Sequence, residues 1–113
     1  MRIEEDSSVA VVVKRTWANL HGIRLFLHEN SLKEIRGVDE SHILFAKVLD
    51  AEDTRGVWIE IHRGTQAKDS TPEQFRMLIP WSEVLALIVA KEFSPAIRQE
   101  ARRIGVTGER EGD

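Results

Sequence analysis

The stretch EIH places Glu60 two residues before His62. On an alternating strand these side chains share a face, where a carboxylate and an imidazole can hold a metal or pass a proton. The same spacing describes the solvated face of an ordinary strand, and that plainer reading is preferred. His21, His28 and His42 fall on other segments. None of the four histidines belongs to an i, i+4 pair with an intervening glutamate, as a helical zinc site requires.

Asp50, Glu52 and Asp53 cluster before a turn, in DAEDTRG. A calcium loop would close with a glutamate at its twelfth position, and here that position is Ile61. The cluster therefore reads as the acidic end of a hairpin. HRGTQAKDS lacks the spacing of a phosphate-binding loop. Ser82 has no GxSxG elbow around it, so its expected role is to cap a short turn. With no cysteine, the chain has no thiolate ligand, cysteine nucleophile or disulfide, which suits a reducing cytoplasm. No catalytic residue, metal site or cofactor is assigned, and the expectation is a protein that is not an enzyme.

Composition narrows the partners. The formal net charge of −3 leaves no general cationic excess for a phosphate backbone, although a local basic patch remains compatible with it. Arg98, Arg102 and Arg103 make one such stretch, and it suits the solvated end of a helix equally well. No apolar run approaches the ~18 residues of a membrane span. The acidic opening, MRIEEDSS, lacks the layout of a signal peptide. A chain of 113 residues is expected to make one domain, with its ordered core over about 9–105.

The elements that must position these groups read mainly as strands. VAVVVKRTWANLH (9–21) fits a helical face through Val9, Val12, Val13, Trp17 and Leu20, but its valines favour a strand. The strand is preferred, with NLHG as a turn into a second strand, IRLFLH (23–28). NSLKEIRG (30–37) is a turn with a short strand, or one helical turn. HILFAKVLDAED (42–53), the turn TRG (54–56) and VWIEIHRG (57–64) form a hairpin. Alternation in the second strand turns Trp58 away from Val57, Ile59 and Ile61, so Trp58 is a candidate partner contact. TQAKDSTPEQ (65–74) is a surface loop.

FRMLI (75–79) reads as a strand ended by Pro80, WSE as a corner, and VLALIV (84–89) as the next strand. Ser94 and Pro95 then open a helix over 95–104, with Ile97, Ala101 and Ile104 on one face and Gly105 as its stop. The remaining VTGEREGD is a tail.

In this order MLIPWSEVLALIV resembles the strand, short helical turn and strand that close the Sm-like small β-barrel. KVLDAEDTRGVWIEI resembles the same family's first motif, with Asp53 at its acidic position and Arg55-Gly56 at a commonly polar pair. The resemblance covers residues 42–89 and extends loosely over 23–41. It implies a small, strongly bent barrel of five to six strands carrying a C-terminal helix. It also implies homo-oligomers built by pairing strand edges. The function it implies is a non-enzymatic binding or assembly module. RNA binding is the alternative, through Asp53, Thr54, Arg55, Trp81 and Ser82 by analogy with the family. A small enzyme using Glu60 and His62 is a second alternative.

Overall fold

The computed structural model describes residues 3–4, 7–27, 32–37, 39–63 and 73–103. Five antiparallel strands form one sheet: β1 (Ser8–Lys14), β2 (Ser41–Asp50), β3 (Gly56–Arg63), β4 (Glu73–Pro80) and β5 (Val84–Ala90). Their spatial order is β4-β3-β2-β1-β5. The last strand thus returns to lie beside the first. Among the described residues β4 and β5 do not pair, so the sheet is open at both edges rather than closed into the expected barrel.

Alternation sorts the side chains onto two faces. Val9, Val11 and Val13 of β1 meet Leu44 and Val48 of β2 and Val57, Ile59 and Ile61 of β3 in the main core. On the other face, Ala10 and Phe45 meet Phe93 and Ala101 in a smaller core under the C-terminal helix. Phe45 and Phe93 stack edge to face, with centroids 5.2 Å apart. Each sheet face therefore has its own cover, and the second cover reaches only part of its face.

Between β1 and β2 the chain makes two short helices, α1 (Arg15–Ala18) and α2 (His21–Leu27). The segment 9–21 is thus a strand that runs directly into a helical turn. Of the strand expected at 23–28, residues 23–27 are helical. Ile23 and Leu27, four apart, pack inward, whereas Leu25 between them is 45% exposed. An i, i+2, i+4 pattern contains an i, i+4 pair, so it satisfies both periods. Packing against the main core selected the helical one.

Within 32–37 the expected turn is present, but neither a strand nor a helical turn accompanies it; residues 30 and 31 lie outside the described residues. Asn19 fixes it to α1. Its side-chain amide donates to the Ile35 carbonyl, and its side-chain oxygen accepts from the Ile35 N–H. Ile35 is thereby held in the core at 2% exposure.

The remaining elements follow the expected order. Trp81–Glu83 forms a single 3-10 turn between β4 and β5, and no continuous helix crosses it. α3 (Pro95–Arg103) starts where the Ser94 hydroxyl accepts the Ile97 N–H at 3.2 Å. Ala101 is its buried contact, whereas Ile97 is 54% exposed, against the expectation that it would face the core. His28, Ile104, Gly105, the tail and most of the loop at 65–74 lie outside the described residues. No helix of the described residues is long and apolar enough to cross a membrane.

Candidate functional site

The turn between β2 and β3 and the turn between β4 and β5 meet at one corner of the sheet. Two aspartates shape the first turn, each accepting the N–H two residues ahead. Asp50 Oδ1 accepts from Glu52 at 2.8 Å, and Asp53 Oδ1 accepts from Arg55 at 2.8 Å. Gly56 then enters β3 opposite Pro80. A Cβ at Gly56 would lie 2.1 Å from the Ile79 carbonyl oxygen, so the strands approach this closely only with glycine there.

Asp53 is the hub of the corner. The Arg55 guanidinium donates to Oδ1 through Nε at 3.1 Å and to Oδ2 through Nη2 at 2.9 Å. The Trp58 indole N–H also reaches Oδ2, at 3.2 Å. The Trp81 indole N–H donates to the Asp53 backbone carbonyl at 2.9 Å, across 28 residues of chain. The Trp81 amide donates to the Arg55 carbonyl at 3.2 Å. Arg55's side-chain and backbone donors, then Trp58, hold the Asp53 carboxyl well below the usual carboxylate range against its partial burial. The same contact raises Arg55 above its ordinary value.

The structure therefore brings Asp53, Arg55 and Trp81 into one bonded unit and adds Trp58 to it. Thr54 and Ser82 are exposed at the same corner. Ser82 sits in the 3-10 turn, which has no side-chain cap, so its expected capping role is absent. The corner is net acidic, with Asp50, Glu52, Asp53 and Glu83 against Arg55. Arg55 is engaged by Asp53, which also accepts from an indole, while the Arg55 side chain remains 71% exposed.

Trp58, Glu60 and His62 lie on the face of β3 opposite the main core, as alternation requires. The cross-strand register aligns Lys47, Glu60 and Arg76 in a row on that face. Trp58 is half-buried by its bond at the corner and belongs to neither core. Glu60 Oε1 and His62 Nε2 are 3.9 Å apart, at the outer limit of an ion pair. No cluster of three or more potential metal-ligating side chains occurs among the described residues.

Two buried polar groups escaped the reading of the sequence. His42 is 1% exposed, with Nδ1 3.1 Å from the Arg36 carbonyl. Arg24 in α2 is 8% exposed, and its Nε has no hydrogen-bond partner. A strand assignment for 23–28 turned Arg24 outward, so no sequence signal pointed to its burial.

A different feature stands at the sheet's open edge. All seven residues of β5, VLALIVA, are apolar, and Leu85, Ile88 and Val89 are 53%, 52% and 45% exposed. Edge strands usually carry charge, proline or a covering loop that discourages pairing with another chain. β5 carries no charge and no proline. No family model matches this chain, and comparison with curated proteins and with solved structures found no match.

Proposed function

We propose that this chain is a non-enzymatic, Sm-like binding and assembly module that associates with copies of itself through the edges of its sheet. The observation that carries the reading is β5, an uncharged apolar edge strand whose side chains are exposed on both faces. An unpaired edge offers a row of N–H and C=O groups, and apolar flanks make their pairing with another strand favourable. The sheet order, with β4 and β5 outermost, leaves two unpaired edges on each copy, of which only β5 is uncharged and free of proline. The strand, 3-10 turn and strand over 73–90 agree with the closing motif of the family that the sequence resembles. In this reading the sheet curves towards a barrel and its two edges are completed by neighbours.

Light scattering coupled to size exclusion tests it. The expected result is a mass of two or more chains, reduced to one chain by Ile88→Lys with the circular dichroism unchanged. A strict monomer at high protein concentration overturns the reading.

RNA binding is the second reading. The observation on its side is the exposure of the Arg55 side chain at the corner where Thr54 and Ser82 also face solvent. A filter-binding titration with mixed RNA at low salt addresses it. Salt-sensitive retention supports it, and none removes it.

A further inference from the structure

Arg24 is buried without the partners that a buried cation requires. Its side chain is 8% exposed, and its Nε is shielded from solvent with no hydrogen-bond partner among the described residues. No ion pair of Arg24 occurs among those residues either. A guanidinium stays charged in proteins even where burial would neutralise a lysine. Buried charges are held by counter-charges, and an orphaned buried donor calls for a group that the surrounding side chains do not supply.

The helix places this donor. Ile23 and Leu27 of α2 pack against the main core. At 3.6 residues per turn, Phe26 and Arg24 leave the helix on opposite flanks of that pair. Phe26 packs on Phe75 of β4, with centroids 5.1 Å apart, so the flank of Arg24 is turned away from the β4 edge. His21, three residues earlier and exposed, stands beside Arg24 at the rim of that flank.

Local acids are few or engaged. α2 contains none. Glu40 lies 3.7 Å from the Arg15 guanidinium, and the Asn19 side chain is tied to Ile35. Residues 14–40 carry five lysines and arginines against four aspartates and glutamates, whereas the whole chain has a net charge of −3. This connection between β1 and β2 is thus the part of an acidic protein where an anion meets least repulsion.

We propose that Arg24 is an oxyanion site, its guanidinium holding a phosphate group with His21 as a second donor. The planar fork of a guanidinium matches two oxygens of such a group, a geometry that a spherical halide lacks. A carboxylate has only those two oxygens, whereas phosphate keeps another for His21. Packing of α2 on the core fixes the Arg24 stem, so little side-chain freedom is lost on binding. The site is on neither the Asp53 corner nor β5, and its test is independent of the assembly reading.

Titration of the full chain with inorganic phosphate at constant ionic strength, followed by proton–nitrogen NMR, tests the assignment. The Arg24 Nε–H signal is expected to shift and saturate, with a midpoint of roughly 1–10 mM for a few charge-assisted bonds. A parallel arm uses methyl phosphate. Saturation in both arms supports the site with an esterified phosphate as its ligand, and saturation by inorganic phosphate alone supports it with the free ion. A shift that never saturates in either arm overturns the proposal.

Arg24→Met gives a second readout. Phosphate strengthens apolar burial in any protein, so wild type and variant share that part of a gain in Tm. In about 50 mM phosphate, against sodium chloride of equal ionic strength, the wild type is expected to gain a few degrees more than Arg24→Met. Equal gains overturn the proposal. Should Arg24→Met fail to fold, the titration of the wild type decides alone.

Discussion

The corner built on Asp53 and the edge formed by β5 lie at the two ends of the chain's chemistry. At the corner, polar side chains are plentiful and engaged with one another: Asp53 accepts from Arg55 and Trp58, and its carbonyl accepts from Trp81. At the edge, polar side chains are absent and the apolar ones are exposed. Residue types that invite a functional reading are thus consumed in holding two turns together. Residue types that usually denote core are the ones left exposed. Chemical versatility of a side chain is a poor guide to function unless its bonds are known.

Breaking the corner is expected to damage the fold before anything else. Gly56→Val has the largest expected effect, a loss of roughly 3 kcal/mol or more, because its Cβ meets the Ile79 carbonyl backbone. Urea denaturation measures it, and a loss below about 1 kcal/mol would show that the strands can separate there without consequence.

Asp53→Asn is expected to lower Tm by a few degrees at neutral pH. The folded carboxyl titrates below its unfolded value, which is about 3.9. Its contribution is therefore complete above that unfolded value and disappears as pH falls towards the lower folded one. The difference in Tm between wild type and variant should narrow from about pH 4 downward. A gap independent of pH would assign the effect to lost shape rather than to the carboxylate.

The edge should behave in the opposite way. Leu85→Ser, at a side chain 53% exposed, is expected to change folding stability by no more than about 0.5 kcal/mol while weakening association. Matched urea curves and light scattering on the same samples separate the two quantities. A variant that destabilises the fold without altering the mass would reverse the assignment of the edge. A small effect of the opposite sign is expected at Gly22 in α2, where a Cβ meets nothing within 4 Å. Gly22→Ala should stabilise the monomer by about 0.5–1 kcal/mol through helix propensity.

How well the sequence announced these regions depended on how local their signals are. VWIEIHR reads as a strand because Val57, Ile59 and Ile61 alternate with Trp58, Glu60 and His62, and a turn sits next to it. The 3-10 corner at Trp81–Glu83 was legible because Pro80 limits the ladder and seven apolar residues follow. HGIRLFL was not legible as a helix, since Ile23 and Leu27 fit either period and only the core distinguishes them. Ile97 misled for the same reason, because a helical stripe does not say which member reaches the sheet. At the corner, the turn at Asp53 was visible locally. The bond from Trp81, 28 residues away, was not.

By itself, the sequence determined that the chain is rich in β-structure, that the hairpin at 41–63 and the strands around residue 81 exist, and that a capped helix follows Ser94. These depend on alternation, turn chemistry and capping, which act within a few residues. The tertiary structure decided that 21–27 coils, that the sheet remains open between β4 and β5, and that Asp53 is spent on Arg55 and two tryptophans. Each of these depends on contacts between segments far apart in the chain. Burial and hydrogen-bond partnership exist only once those segments meet, and they separate the side chains that hold this fold from those it leaves exposed.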